Sequence, residues 1–224
     1  MNKEKIGTDK NVQENLKVHK VSSTYLFLKR AVDIIGSFFG LIVLSPLFLV
    51  IAICIKVEDG GNVFYKHKRV GKNGSDLYIY KFRSMKTNAD DLENMLTPEQ
   101  LEMYLAEFKI ENDPRITKVG NFLRKTSLDE LPQMVNILKG DLTIIGPRPV
   151  VKEELENYGD DADKFLSITP GLTGYWQAYA RNEAIYATGE RQNMELYYVE
   201  NRSLLLDIKI FFKTFSSVFG KTGN

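Results

Sequence analysis

The sequence predicts an α+β fold: an N-terminal re-entrant membrane helix, then a mostly helical cytoplasmic domain carrying a small β-hairpin. Three observations lead there. Ile34 to Ile55 is a run of 22 residues without a charge, interrupted by Ser45-Pro46. Two stretches rich in Tyr, Phe, Val and Ile, 62–70 and 76–85, flank the turn residues Gly71-Lys72-Asn73-Gly74. Beyond them, apolar residues recur mainly at helical spacing. The chain divides accordingly into a mobile polar tail over 1–20, the membrane element over 21–57, and a folded domain over 58–221.

The membrane element comes first. As one straight helix, its charge-free run would rise roughly 33 Å, about the thickness of a bilayer's hydrocarbon core. Between Arg30 and Lys56 the only charge is Asp33. A signal peptide fits poorly, because the run is long, starts late and has no small-residue cleavage site behind it. A buried core helix is disfavoured, since such helices rarely stay apolar on every face for six turns. Pro46 removes a helix hydrogen bond and clashes with the preceding turn. Lys17, Lys20, Lys29 and Arg30 precede the run, and Lys56, Lys66, Lys68, Arg69 and Lys72 follow it. Positive charge marks the cytoplasmic side, so both flanks favour the same side. A re-entrant helix broken at Ser45-Pro46 satisfies both; a kinked simple span remains the alternative on these features alone.

The hairpin comes next, with Gly71 to Gly74 as its turn. From Asn88 to Lys109 the pattern becomes helical, interrupted at Thr97-Pro98-Glu99-Gln100. There threonine is read as the N-cap, proline as the first helical residue and glutamine as the reciprocal cap. Ser127-Leu128-Asp129-Glu130 reads as a second capping box, opening a helix that ends at Lys139-Gly140. Leu142 to Ile145 is a short β-like run, and Gly146-Pro147-Arg148-Pro149 after it an extended, rigid loop. Thr169 to Gly174 is read as another loop, leading to the only tryptophan, Trp176. The last helix runs from about Ser203 to Phe219. Leu204, Leu205, Ile208, Phe211, Phe212, Phe215 and Phe219 form one apolar stripe, with Lys209 and Lys213 off it. A core-facing stripe and a bilayer-facing one are both compatible with that pattern.

Composition narrows what the domain does. With 224 residues there is room for one domain of ordinary size. Thirty basic against 29 acidic residues leave a net charge of +1, which excludes a dedicated nucleic-acid binder. A hydrophobic share of 43% excludes a disordered chain. One cysteine and two histidines exclude a disulfide framework and a Cys- or His-rich metal centre. Neither a Walker A motif, a Gly-x-Gly-x-x-Gly nor a Gly-x-Ser-x-Gly elbow is present.

The chemistry-bearing feature is the adjacent pair Asp129-Glu130. Spacing alone favours a plain helix cap, in which both acids complement the helix dipole. The cations around it argue for more: Lys81 and Arg83 from the hairpin, Arg115, Arg124 and Lys125 upstream, and Arg148 held between two prolines. Arginine's planar fork suits phosphate oxygens, and an acidic pair in a basic pocket suits Mg²⁺ and a diphosphate. A second acidic motif, Asp161-Ala162-Asp163, resembles the Asp-x-Asp of ordinary glycosyltransferases, although it reads more readily as a solvated turn. A membrane-anchored scaffold without catalysis is the third reading.

Four motifs occur in the order and spacing of one family. They are Lys81-Phe82-Arg83-Ser84-Met85, the run from Arg124 to Gln133, Gly146-Pro147-Arg148-Pro149, and Pro170-Gly171-Leu172-Thr173-Gly174. Over residues 25–221 the chain resembles the monotopic phosphoglycosyl transferases of the bacterial sugar transferase family. The resemblance implies that Asp129 is the nucleophile attacking the sugar-bearing phosphorus of a UDP-sugar. UMP leaves, and a polyprenol phosphate, usually undecaprenyl phosphate, then takes the phosphosugar. It implies Mg²⁺ as cofactor with Glu130 and Asp129 as its ligands, and Arg124 and Arg148 near the phosphates. Lys81 and Arg83 match the strand motif as substrate-binding residues, and Ser45 and Pro46 match the helix break. It further implies a bacterial inner membrane location with the domain over 58–221 catalytic and on the cytoplasmic face. It leaves a homo-oligomer open, and the chain is expected to correspond to the family's minimal catalytic form. Glu195 stands where many members carry aspartate and receives no role, and Arg181 to Gly189 match no particular sugar. For Trp176, packing is at least as good a reading as substrate contact.

Overall fold

A computed structural model describes residues 21–107, 110, 112–180 and 183–219. The tail over 1–20, with Lys17 and Lys20, and also Lys109, Arg181 and Asn182, lie outside the described residues. Helices α1 (Ser23–Val43) and α2 (Ser45–Asp59) meet at Leu44 with a bend of 61°. The bend has a local cause. Pro46 has no N–H to give to the Ile42 carbonyl, and the Ser45 hydroxyl donates to that carbonyl instead, at 2.8 Å. No single described helix is long and apolar enough to cross a membrane; by length and composition only the bent pair is.

Phe27, Phe38, Phe39, Val43, Leu49 and Ile53 are exposed on the pair's outer face, while Asp33, Ser37, Ile51 and Ile55 are buried on its inner one. Asp33 fastens α1 to the domain. Its carboxylate accepts from the Thr143 hydroxyl at 2.7 Å and from the Ile144 N–H at 2.8 Å. Arg30 donates to the carbonyls of Ile137 and Leu138 at 2.6 and 2.9 Å, capping a helix end. Lys29 and Tyr25 both reach Asp207, at 2.8 and 2.9 Å, and Tyr198 donates to its second oxygen at 2.7 Å.

The hairpin forms as expected. Strands β1 (Phe64–Val70) and β2 (Asp76–Phe82) pair antiparallel around a tight turn at Lys72–Gly74, where Asn73 takes a φ of 54°. Helices α3 (Leu92–Met95) and α4 (Pro98–Glu107) come after it, and the Thr97/Gln100 capping box is present in both directions, at 3.3 and 3.1 Å. Then come α5 (Lys118–Lys125), α6 (Met134–Lys139), β3 (Thr143–Ile145) and α7 (Ala162–Leu166). The chain closes with β4 (Gly171–Thr173), α8 (Tyr175–Tyr179), α9 (Glu190–Asn201) and α10 (Leu204–Phe219).

Three expectations are corrected. Ser127 is not a side-chain cap: it sits at φ 55°, makes no cap bond, and leads into a 3-10 turn, Leu128–Gln133, before α6 begins. Pro132 is the reason, because it supplies no N–H and disfavours a helical residue before it. The loop over 169–174 contains a strand, since β4 pairs parallel with β3, Thr143 opposite Gly171 and Ile145 opposite Thr173. In α10 the stripe from Leu204 to Phe215 points outward and is exposed, while Asp207 and Ile210 face the domain. The core-facing reading of that stripe is therefore wrong for the described side chains; that of Phe219 lies outside them.

The inner face of α2 forms the apolar seam between the bent helix pair and the domain. Ile51 and Ile55 pack with Phe82 of β2 and Leu123 of α5, and Leu128 and Leu131 close over them. The turn bearing Asp129 thus rests on α2. Replacing Asp33 by Ala leaves the buried Ile144 N–H and Thr143 hydroxyl without a charged acceptor, and should cost about 3 kcal/mol. Unfolding midpoints in detergent would read this, and a change under about 0.5 kcal/mol would contradict the anchoring role.

Candidate active site

In an antiparallel pair, directly opposite residues share a face. Tyr65 lies opposite Lys81, His67 opposite Ile79, and Arg69 opposite Leu77. The face that presents Lys81 therefore also presents His67 and Arg69, and it covers the Leu128–Gln133 turn. Lys81 Nζ stands 2.8 Å from Glu130 Oε1 and 3.8 Å from Asp129 Oδ2. Asp129 is 6% exposed. The left-handed Ser127 and the tight 3-10 turn after it set Asp129 and Glu130 against the strand rather than along a helix end.

Arg148 arrives from the other side. Its loop is fixed by two close backbone bonds, from Gly146 N–H to the Thr173 carbonyl and from Gly171 N–H to the Pro147 carbonyl, both 2.8 Å. Gly171 has no room for a side chain, as a Cβ there would stand 2.1 Å from the Gly146 nitrogen. The Arg148 backbone N–H donates to both carboxylate oxygens of Glu195 at 3.3 Å, and its guanidinium lies 6.0 Å from the Trp176 ring. Arg69, Lys81, Glu130, Gln133, Arg148 and Gln177 line one cleft. Arg124 bonds Ser84 Oγ through Nε at 2.9 Å, and Asp129 is the carboxylate that acts on its charge most strongly.

The electrostatics are those of a site short of anions. Burial pushes His67 down to about 3, and Arg69, Lys81, Arg148 and Arg124 push the same way, so it stays neutral at physiological pH. Burial and then Arg148 lower Arg69 to about 10, against the pull of Glu154 and Glu130. Burial would lift the Glu154 carboxyl, but Arg69 and Arg191 together hold it below the usual range. Burial lifts Glu195 to about 7, although Arg191 and Arg148 oppose it.

The structure brings together Lys81, Asp129, Glu130 and Arg148, with Arg124 beside them. Arg83 goes elsewhere: it pairs with Asp59 at the end of α2 and does not line the cleft. Arg115 is clamped by its own Asp113 at 2.6 Å and lies over Tyr104. Trp176 is buried, donates to the Ala184 carbonyl at 3.0 Å and packs flat against Arg191 at 4.2 Å, which is the packing reading. Asp161 and Asp163 are exposed at the start of α7, Asp161 lies 3.7 Å from Lys164, and neither lines the cleft. Sequence reasoning missed Arg69, which it counted only as positive charge flanking the membrane run. The alternation of β1 with Lys81 across the hairpin was the available signal. It also missed Gln133, Gln177 and the buried carboxylate Glu154, for which no local signal exists, and it gave no role to the buried Glu195.

The bacterial sugar transferase family model matches residues 24–221, and the chain belongs to that family. Among similar proteins is the exopolysaccharide production protein ExoY of Rhizobium meliloti (strain 1021), 46% identical over 193 residues, covering 85% of this chain and 84% of that protein. The undecaprenyl-phosphate galactose phosphotransferase of Salmonella typhimurium is 46% identical over 200 residues, 88% of this chain and 41% of that protein. The UDP-glucose:undecaprenyl-phosphate glucose-1-phosphate transferase of Escherichia coli K12 is 36% identical over 200 residues, 87% of this chain and 40% of that protein. The chain thus spans less than half the length of the latter two.

Because the folded carboxyl of Glu195 holds its proton up to about 7, against an ordinary 4.5, its stabilising contribution is complete below about pH 4.5 and is lost as pH rises through 7. Glu195→Gln keeps an acceptor for Arg148 without the titration. Its stability relative to the parent should rise between pH 5 and pH 8 in paired unfolding measurements; a pH-independent difference would contradict the burial of an ionisable group there.

Proposed function

We propose that this chain transfers a phosphosugar from a UDP-sugar to a polyprenol phosphate and releases UMP. The observation that carries this reading is the adjacent Asp129-Glu130 pair sharing Lys81, with Glu130 and Lys81 lining a cleft where Arg69 and Arg148 converge and Asp129 buried beside them. In the first step an Asp129 carboxylate oxygen attacks the sugar-bearing phosphorus. The bond from that phosphorus to the bridging oxygen breaks, and UMP departs with the oxygen and the electron pair. In the second step a phosphate oxygen of the lipid attacks the same phosphorus, and the Asp129 carboxylate leaves. An aspartyl intermediate lets a soluble donor and a lipidic acceptor use one site in turn. Lys81, Arg69, Arg124 and Arg148 offset the repulsion between carboxylate and diphosphate.

The residues fit Mg²⁺. Two adjacent carboxylates offer hard oxygen ligands, and the Lys81 ammonium already stands between them as a cation would. Asp129 and Glu130 would hold the ion, and when bound it neutralises charge on the diphosphate and the departing UMP.

The acceptor side is supported by the packing. Leu128 and Leu131, on either side of the acidic pair, rest on α2, so the reacting turn adjoins the element proposed to lie in the membrane. The 61° bend, the outward apolar faces of α1, α2 and α10, and positive charge on both flanks support a re-entrant helix pair in the bacterial inner membrane, with the domain at the cytoplasmic face. The relatives' names connect such chemistry to undecaprenyl phosphate and to exopolysaccharide.

A panel of UDP-sugars, supplied with Mg²⁺ and undecaprenyl phosphate and read for UMP against UDP, tests the reading. Asp129→Asn and Glu130→Gln are expected to lose roughly 10³-fold in UMP release or more while unfolding near the parent temperature. UDP as product would point to an ordinary glycosyl transfer, and turnover by the Asp129 variant would rule out the covalent step.

A further inference from the structure

The last turn of α2 ends in two adjacent carboxylates, and each engages a different element beside the Asp129-Glu130 turn. Glu58 Oε1 accepts from the N–H groups of Lys118 at 2.8 Å and Val119 at 3.1 Å, the first donors of α5. Thr117 takes the next one, from Gly120, at 2.9 Å. Together they satisfy the start of the helix that carries Arg124. Asp59 accepts from the Gly61 N–H at 3.2 Å and pairs with Arg83. Arg83 comes directly after β2, two residues beyond Lys81, and its own N–H donates to the Val63 carbonyl at 2.9 Å.

The Arg83 guanidinium lies directly beneath the exit turn. A Cβ on Gly61 would stand 2.2 Å from Arg83 Nη1, so no other residue fits there with the arginine in place. The Arg83 side chain is 9% exposed, and its Nε and Nη1 have no hydrogen-bond partner among the described residues. Asp59 is thus what compensates a nearly buried charge, and removing it forces the guanidinium to move. The bond from Arg83 in turn holds the Asp59 carboxyl below its usual range. One turn below, Ile51 and Ile55 of α2 pack on Phe82 and Leu123, the apolar neighbours of Lys81 and Arg124 in sequence.

We infer that Glu58 and Asp59 are positioning residues: the exit turn of α2 fixes the strand bearing Lys81 and the helix bearing Arg124 relative to each other, across the Asp129-Glu130 turn. The inference rests on the proposed function for its kinetic consequences, but not for its structural ones. It also gives Arg83 a definite place, as the partner of the clamp rather than of the substrate.

The test uses the full chain in lipid vesicles, with Glu58→Ala, Glu58→Gln, Asp59→Ala and Asp59→Asn. Two readouts are taken: kcat and KM for UMP release, and amide hydrogen exchange over residues 118–125 and 128–133. Each Ala variant is expected to lose tenfold or more in kcat with KM changed less than threefold. Exchange should speed up at 128–133 as well as at 118–125. Glu58→Gln, whose amide oxygen still accepts both N–H bonds, should recover to within threefold of the parent; Asp59→Asn should fall between Ala and parent. Exchange confined to 118–120, an unchanged kcat, or Gln and Ala variants failing alike would overturn the inference. If the parent chain releases no UMP, the proposed function falls, and the exchange at 128–133 alone decides whether the clamp positions that turn.

Discussion

Two neighbouring carboxylates in a mostly buried turn repel each other, and a cation held against them offsets that repulsion. Here that cation is Lys81, 2.8 Å from Glu130 and 3.8 Å from Asp129. Much of the architecture serves to deliver it. The hairpin exists to carry an outward-reaching lysine over a 3-10 turn, and Pro132 keeps that turn from becoming an ordinary helix start. Arg69, Arg124 and Arg148 add further positive charge around the acidic pair, and together with Lys81 they reinforce the burial that keeps His67 neutral. A site built that way favours a polyanion, and the proposed diphosphate is one.

The bent helix pair is part of the same construction. Its bend arises from one missing N–H at Pro46, repaired by the Ser45 hydroxyl. Its two arms are pinned to the domain by different chemistry. α1 uses buried polar contacts through Asp33, Arg30 and Asp207, whereas α2 uses Ile51 and Ile55, then Glu58 and Asp59 at its end. The acidic turn lies against α2, so that a lipid phosphate and a soluble nucleotide would approach one carboxylate from neighbouring environments.

What could be read in the sequence was local. The helix break, the hairpin and its turn, the Thr97/Gln100 capping box and the final helix all depend on residues within a few positions of one another, and each is in the structure. The Ser127 box was misread because its spacing matched while Pro132, five residues on, overruled it. The β3–β4 pair was invisible since three-residue parallel strands depend on partners nearly thirty residues away. Arg69 was missed, and Glu195 left without a role, for related reasons. Arg69 needed the hairpin register to place it beside Lys81, and Glu195 meets Arg148 only through the packing of α9. The resemblance singled out Asp129, Glu130, Arg124 and Arg148; the geometry shows what surrounds them and pairs Arg83 with Asp59.

Under the proposed mechanism, Asp129 carries the phosphosugar between the two substrates. The most direct test of this is the mass of the protein after brief exposure to a donor UDP-sugar and Mg²⁺ with no lipid phosphate present. The account predicts an added mass of one sugar phosphate, confined to the peptide holding Asp129, absent from Asp129→Asn and discharged when undecaprenyl phosphate is added. A parent chain that turns over with both substrates yet never gains that mass, under quenching that preserves acyl phosphates, would contradict it.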